Sequence, residues 1–376
     1  MSHILVVPTN RAWESPLEPL SAELEAFPEL TFVLLDSSPD PEPNAARVGE
    51  LPRARHLTLP WLLDFCLAVG GSLSASLQPG PVANYGKVAN LVALVGAALG
   101  ATTLSRRDAD ELLVARAEGG WWFPVEREVA LLTGPEAPYL AGTVHFGDCD
   151  CDVDRIYRTG GSELMAELGR LLGLELDFAD PAVKAALKHP PPARMEDWAR
   201  VAPGQSVYPG LCTDRGLFRH LPVAPAEETP DVDNLPVALA LGAGWALGAH
   251  GRVLEHRHPP GRDDSVYWWR LARAIDYNAL YAPVFQAVRQ ERPQGPEELA
   301  RLVGSAPRAE DRAPRLELQE RFAAFLSRLY PERDLAARIE SEKEDCLAAV
   351  DEGAARHLEL LSRWPELIAT AARHSP

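Results

Sequence analysis

Two aspartates one residue apart, Asp108 and Asp110, have the spacing in this sequence that most directly suggests metal chemistry. Side chains at positions i and i+2 lie on the same face of an extended chain, so both carboxylates would point the same way if the backbone there is extended. Carboxylates hold hard divalent cations, which often also bind the phosphates of a substrate. The pair therefore predicts a site for one cation facing a diphosphate.

Two further groups are candidates for the same site. His256 and His258 form a His-x-His pair, and on an extended chain both imidazoles, which are common metal ligands, face one way. Asp231 and Asp233 precede a predicted helix. A carboxylate at a helix N-terminus also stabilises the helix dipole, so capping and a functional role remain equally open for these two aspartates.

The acidic run from Asp148 to Asp154 alternates aspartate with Cys149, Cys151 and valine. Zinc sites generally use CxxC pairs or histidines at fixed spacing, and neither is visible here, so the two cysteines do not indicate zinc. We interpret the run as an acidic loop or edge strand that lines the acceptor side of a cleft, where Asp152 or Asp154 touches substrate.

Short apolar runs alternate with helical patterns in the first 110 residues, which predicts strands and helices in turn. The order favours an α/β doubly wound, mainly parallel sheet with helices on both faces. Ligands of such sheets bind beyond the carboxyl ends of the strands. No glycine-rich phosphate loop follows the first strand, which argues against NAD or P-loop chemistry. The polar residues at predicted strand ends are Thr9, Asn10, Asp36, Asp108 and Asp110.

Lys87 and Asn90 lie one turn apart near the start of a helix predicted over residues 87–99. Both side chains could face a ligand across the sheet edge. The alternative is that Lys87 is solvated and that Asn90 caps the helix or faces water.

Composition limits the function and the compartment. The 376 residues carry a formal net charge of −17, which repels phosphate backbones and argues against nucleic acid as a partner. The N-terminus has no signal-peptide pattern, and no uninterrupted apolar stretch predicts a membrane span. Five scattered cysteines are most simply reduced thiols, so the cytoplasm is expected. The charge-patterned tail predicts a helical extension over 266–376, which is a plausible homodimer surface.

A resemblance to a known family extends over residues 4–290. The strand ending in Pro8-Thr9-Asn10, the strand ending in Asp36, and the Asp108-Ala109-Asp110 motif resemble the nucleotide-binding half of GT-A glycosyltransferases. The segment 84–90 and the later His-x-His also resemble uncharacterised actinobacterial GT-A-like proteins and, more distantly, plant reversibly glycosylated polypeptides. The resemblance implies a catalytic domain over 1–265, with a nucleotide-sugar half over 1–110 and an acceptor half over 111–265.

The resemblance also implies roles for individual residues. Mn²⁺ or Mg²⁺ would be held by Asp108 and Asp110, with His256 or His258 completing the shell. The acceptor hydroxyl would lose its proton to Asp233 or, as second choice, Asp231; this sequence has Asp-Val-Asp where a Glu-Asp pair is common. Residues assigned by the resemblance to nucleoside, sugar or phosphates are Thr9, Asn10, Arg11, Asp36, Lys87, Asn90, Arg106 and Arg107.

The function that this implies is metal-dependent transfer of a sugar from a UDP- or GDP-type donor to an unidentified acceptor, for which a small molecule of specialised metabolism is one hypothesis. A nucleotide-sugar mutase or a nucleotidyltransferase on a similar sheet is the alternative. A third hypothesis is a non-catalytic binding protein with the same fold.

Overall fold

The fold is taken from a computed structural model of the chain. The structure describes residues 2–80, 84–116, 118–134, 136–143, 145–148, 153–171, 180–181, 211–230, 235–250, 254–258 and 264–374.

Four strands and four helices alternate in the first 106 residues, as the sequence predicts. The strands are β1 (His3–Thr9), β2 (Leu30–Asp36), β3 (Ala54–Thr58) and β4 (Thr103–Arg106). The helices are α1 (Leu17–Ala26), α2 (Glu42–Gly49), α3 (Leu59–Gly70) and α4 (Tyr85–Ala98).

The middle of the chain contributes shorter elements. Its strands are β5 (Glu111–Leu113), β6 (Leu140–Thr143), β7 (His145–Gly147), β8 (Leu211–Asp214), β9 (Gly248–Ala249) and β10 (Leu254–His256). Its helices are α5 (Pro124–Leu131), α6 (Val153–Leu171) and α7 (Leu235–Gly242). The C-terminal region is helical, as predicted, with α8 (Asp264–Glu291), α9 (Pro296–Ser305), α10 (Arg312–Leu329) and α11 (Leu335–Ala371).

The main sheet has the strand order β3-β2-β1-β4-β8-β6-β9 in the described residues. Strands β3, β2, β1 and β4 are parallel, whereas β8 is antiparallel to both of its neighbours. The chain moves outward from β1 to β3 and then returns to the other side of β1 as β4. The strand order therefore reverses between β1 and β4, which makes this the topological switch point of the sheet. The predicted doubly wound, mainly parallel fold is confirmed.

Helices cover both faces of this sheet because both faces of β1 and β2 are apolar. Ile4 and Val6 join a core with α3 and α4, whereas Leu5 and Val7 join a second core with Trp13 and helix α1. Period-2 alternation sends successive side chains to opposite faces, so a continuous apolar run is what a strand buried on both sides requires.

A second, three-stranded sheet has the order β5-β10-β7. Strand β10 is antiparallel to β5, with His256 opposite Glu111, and parallel to β7, with His256 opposite Gly147. This small sheet brings the segments after β4, after β7 and after β10 to one place, although β4 ends at Arg106, β7 at Gly147 and β10 at His256.

The C-terminal helices share the core of the N-terminal region. Leu360, Trp364 and Leu367 of α11 belong to the same apolar cluster as Ile4 and Val6 of β1. Between α4 and α11 runs the segment 221–230, which is buried along most of its length. Asn90 binds this segment at both the N–H and the carbonyl of Val223, at 2.7 and 2.8 Å.

Helical patterns in the sequence also predict helices over 214–220, 162–173 and 181–188. The structure differs from the first of these in kind and from the second in its bounds. Residues 214–220, expected to be helical, instead contain the end of β8 and a short 3-10 turn over Leu217–Arg219, because the Asp214 carboxylate accepts the N–H groups of Gly216, Leu217 and Phe218. The helical pattern expected over 162–173 belongs to α6, which begins earlier at Val153. The helix expected over 181–188 lies largely outside the described residues.

Helix α3 and the turn after it, Leu59–Ser76, are long and apolar enough in length and composition to cross a membrane. A core helix of a soluble protein passes the same test. Leu62, Phe65 and Val69 of α3 pack in the core with β1 and α4, which accounts for the apolar composition of its inner face.

Candidate functional site

The candidate site lies at the carboxyl ends of β1 and β4, where the strand order of the sheet reverses. Ligands of open α/β sheets bind in the crevice at such a switch point. The loop after β1 supplies Asn10 and Arg11, and the loop after β4 supplies Asp108 and Asp110. An ion pair between Arg11 Nη2 and Asp110 Oδ2, at 3.1 Å, joins the two loops across the switch point.

Asp110 also contacts the end of the small sheet. Its Oδ1 lies 3.5 Å from His256 Nε2, and its backbone oxygen accepts the N–H of Arg257 at 3.0 Å. Burial raises the pKa of the Asp110 carboxyl, but His256 and Arg11 outweigh that effect and hold the pKa below its ordinary value. Asp110 is therefore a partly buried carboxylate, held in its ionised form by one imidazole and one guanidinium.

His256 is oriented by its other ring nitrogen. Nδ1 lies 3.0 Å from the backbone oxygen of Asp148, which can only accept, so Nδ1 carries a hydrogen and Nε2 faces Asp110. Burial lowers the pKa of His256, but Asp110 and Glu111 outweigh it and raise the pKa to about 9. The ring of His258 packs edge-on against His256, with 4.7 Å between centroids, and the N–H of His258 donates to the Asp148 carboxylate at 2.7 Å.

The backbone at Asp108 is not extended, which is the condition for Asp108 and Asp110 to share a face by their spacing. The N–H of Glu111 donates to the Asp108 oxygen at 3.1 Å and closes a turn there. The Asp108 carboxylate is 44% exposed and lies 3.5 Å from Arg106 Nη2. Its N–H donates to the buried Glu111 carboxyl at 2.9 Å. Burial and the nearby Asp108 charge raise the pKa of Glu111.

The predicted ligands only partly assemble. Asp110 and His256 are in contact, His258 lies beside His256, and Asp108 faces Arg106. Within the described ranges, no three histidine, cysteine, aspartate or glutamate side chains form a ready-made metal site. The protein ligands of a cation here would be Asp110 and His256, and the remaining coordination positions would be left for water or substrate oxygens.

The loop after β2 is organised by Asp36. This fully buried carboxylate accepts hydrogen bonds from the Ser38 N–H at 2.8 Å and Asn44 Nδ2 at 2.9 Å, and it pairs with His56 Nε2 at 2.8 Å. Burial raises the pKa of Asp36, but these hydrogen bonds outweigh it and lower the pKa. Thr9 is also buried, and its hydroxyl donates to the Arg11 oxygen. Asp36 thus orients the strand-end loops from inside.

Two more predicted site residues, Arg107 and Asn90, have side chains that bind other parts of the protein. Arg107 is buried and makes a bidentate pair with Glu23 of α1, at 2.9 and 3.0 Å. The side-chain amide of Asn90 binds the backbone of Val223. Both contacts hold elements together, and neither side chain is directed at the strand-end loops.

Lys87 also lies away from the strand-end loops. Burial lowers its pKa, while Glu227 and Glu352 act in the opposite direction. These charged neighbours belong to the buried segment 221–230 and to α11, so Lys87 is placed between those elements.

The acidic candidates have different outcomes. Asp231 and Asp233 lie outside the described residues, as do residues 149–152 of the acidic run. Asp154 is an exposed residue in the first turn of α6. Asp148, expected on the acceptor side, lies instead beside His256 and His258 at the end of β7.

Glu111 is a contributor to the site that was missed at the sequence level. Its carboxyl accepts the N–H of Asp108, three residues earlier, and stabilises the turn around Asp108. The sequence placed Asp148 in the acidic run but did not predict its contacts with His256 and His258. Its position at the end of a short β-rich run is the same strand-end signal that identified Asp36.

Comparisons with known proteins give only distant structural likenesses. No protein-family model and no curated protein matches the chain. One similar structure is glucosyl-3-phosphoglycerate synthase from Mycobacterium tuberculosis in complex with Mn²⁺, UDP and glucosyl-3-phosphoglycerate, at 15% identity and a TM-score of 0.38, covering 77% of this chain and 79% of that chain. Another is the mannosyltransferase PcManGT from Pyrobaculum calidifontis in complex with GDP-Man and Mn²⁺, at 15% identity and a TM-score of 0.39, covering 99% of this chain and 86% of that chain. What this chain does must be inferred from its own residues.

Proposed function

We propose that this protein is a metal-dependent glycosyltransferase that moves a sugar from a UDP- or GDP-type donor to an acceptor. The observation that carries the proposal is the contact of Asp110 with both His256 and Arg11 at the switch point of the sheet. A carboxylate, an imidazole and a guanidinium at that crevice are the groups needed to bind a divalent cation and a diphosphate together.

The donor set supports Mn²⁺ or Mg²⁺. Asp110 offers carboxylate oxygens, and the Nδ1–H···O contact of His256 leaves Nε2 as the nitrogen that faces the carboxylate. A cation bound there would displace the proton that the raised pKa of His256 keeps on Nε2. Ligating histidines commonly fix their other nitrogen on a backbone carbonyl in this way. Two protein ligands suit a cation that is also held by substrate phosphates. When bound, such a cation would neutralise the negative charge that develops on the departing nucleoside diphosphate.

Arginines provide the local positive charge that a chain of net charge −17 needs to attract an anionic donor. Arg11 is 48% exposed at its side chain and Arg106 is 20% exposed, and each already pairs with an aspartate of the Asp108–Asp110 turn. A diphosphate would compete for these guanidiniums and accept their hydrogen bonds in bidentate fashion. Both residues would stabilise the leaving group without moving a proton.

The other strand-end residues divide into one ligand candidate, Asn10, and two positioning residues, Thr9 and Asp36. Asn10 is exposed beside Arg11 and remains a candidate for nucleoside contact, whereas Asp36 and Thr9 would act by positioning these loops. Asp233, with Asp231 as second choice, remains the proposed base for the acceptor hydroxyl. We also retain a cytoplasmic location, the division at residue 265, and a homodimer through the C-terminal helices as expectations.

Donor turnover tests the proposal. Purified protein with Mn²⁺ should release UDP or GDP from one sugar donor in a panel, slowly to water and faster with a suitable acceptor. The activity of the variant Asp110→Asn should be at least tenfold lower than that of the wild type, because the amide cannot carry the negative charge that binds the cation. Asp64→Asn, at an exposed position of α3, is the matched control and should retain full activity.

Product analysis separates the alternatives. An isomeric sugar nucleotide formed from donor alone would indicate a mutase. Pyrophosphate released from a nucleoside triphosphate and a sugar phosphate would indicate a nucleotidyltransferase. Nucleotide binding without turnover of any donor would favour a non-catalytic binding protein.

A further inference from the structure

A cavity of about 270 Å³ lies between helix α1, strand β5 and the Asp108–Glu111 turn. Its wall is largely apolar and includes the floor of the sheet. The apolar residues that line it are Val7, Trp13, Leu20, Phe32, Leu113 and Trp121.

The charged groups that line the cavity already have partners of their own. Asp108 lies 3.5 Å from Arg106 Nη2, and the Glu111 carboxyl accepts the N–H of Asp108. Arg107 is neutralised by its bidentate pair with Glu23. At the outer side, Arg257 makes a bidentate pair with Glu255 at 2.8 and 3.0 Å, and its side chain is 62% exposed. A charged ligand would lose its hydration and find no unpaired opposite charge among these groups, so an uncharged ligand is favoured.

The size and lining of the cavity define the ligand further. An apolar protein cavity of about 150 Å³ is large enough to bind benzene, so about 270 Å³ accommodates a molecule of one or two rings. Trp13 and Phe32 are stacked behind the wall, with 5.4 Å between their centroids, and are almost fully buried, so the ring surface that a ligand can reach belongs to the partly exposed Trp121. Aromatic ligands gain from both the area buried and the ring contacts in such a lining.

We propose that this cavity binds an uncharged aromatic molecule of one or two rings. The site is separate in chemistry from the proposed donor site, which needs a cation and arginines. The two sites share the Asp108–Glu111 turn as a common wall. Ser15 of the cavity wall fixes this turn through a 2.8 Å hydrogen bond from Oγ to the Ala109 oxygen. A bound molecule would therefore lie against the segment that carries Asp110.

Binding of indole, measured by calorimetry and by ligand-observed NMR, tests the proposal without any assay of sugar transfer. Indole should bind saturably with a Kd on the order of 0.1–1 mM, as its small size allows. Indole-3-acetate, which adds a negative charge, should bind at least tenfold more weakly. No saturable indole binding, or equal binding of the two probes, would overturn the proposal.

Substitutions locate the binding. Ala115 is exposed and lines the cavity, so Ala115→Trp should obstruct it and weaken indole binding at least tenfold. Ala68→Trp, at an exposed alanine of α3, is the control and should bind as the wild type does. Thermal unfolding checks that both variants are folded, and Val114→Trp serves as a second obstructing variant. Unchanged affinity in folded obstructed variants would show that indole binds elsewhere and would refute the assignment.

Discussion

His357 should make the protein sensitive to acid. Its ring is fully buried in α11, where Nδ1 lies 2.7 Å from the Tyr281 hydroxyl and Nε2 lies 2.9 Å from the Pro222 oxygen. The carbonyl oxygen only accepts, so Nε2 donates to Pro222 and Nδ1 accepts from Tyr281, which leaves the ring neutral. Burial lowers the pKa of His357 from 6.5 to about 3.

The direction of the pH effect follows from proton linkage. Below pH 6.5 the unfolded chain binds a proton at His357 that the folded chain does not bind until about pH 3, so the free energy of unfolding falls as the pH falls through this window. Well inside the window each pH unit removes about 1.4 kcal/mol, and it removes less near pH 6.5, where the unfolded histidine is half protonated. Lowering the pH from 6.5 to 4.5 should therefore remove roughly 2 kcal/mol.

Urea unfolding at a series of pH values measures how the free energy of unfolding depends on pH in the wild type and in the variant His357→Gln. The variant should lose about 1–3 kcal/mol at pH 7, because buried hydrogen-bond partners are left unsatisfied. Its unfolding free energy should then fall less steeply than that of the wild type below pH 6.5. His374→Gln, at an exposed position, is the control and should keep the wild-type slope. Equal slopes in the wild type and His357→Gln would refute the account.

Two further predictions concern contacts that hold the site's scaffold. Gly86→Ala should destabilise the protein by about 3 kcal/mol, since the new Cβ would lie 1.9 Å from the Ala224 oxygen. The control Gly304→Ala, whose new Cβ would have nothing within 4 Å, should stabilise the protein by up to about 1 kcal/mol. Thermal unfolding measures both variants, and equal effects would contradict the close packing at Gly86. Glu23→Gln should lower the free energy of unfolding, measured in urea, by about 3–5 kcal/mol, because it leaves the buried Arg107 charge without its carboxylate partner. A cost below 1 kcal/mol would mean that Arg107 does not depend on this pair.

The first half of the fold was predictable because its signals are local. Strands β1 and β2 are short apolar runs, and the polar residues at their ends identify the edge where the site forms. The helices α3 and α4 follow from apolar spacing that their core contacts confirm. These elements need no information beyond neighbouring residues in the sequence.

The geometry of the site was less predictable because it depends on long-range contacts. Glu111 closes the turn at Asp108 locally, but the meeting of Asp110 with His256 depends on the pairing of β5 with β10. Arg107 and Asn90 have residue types that suit ligands, yet Glu23 and Val223 occupy them from distant positions. Residue type and spacing identify polar side chains, but tertiary packing decides which remain available.

The central claim is that Asp110 and His256 bind a divalent cation together with a nucleoside diphosphate. The most direct measurement is calorimetric titration of UDP and GDP with and without Mn²⁺, for the wild type, Asp110→Asn and the control Asp64→Asn. The account predicts that one nucleotide binds at least tenfold more tightly with Mn²⁺ in the wild type and in the control, and that Asp110→Asn abolishes this gain. Metal-independent binding, or a gain that survives in Asp110→Asn, would contradict it.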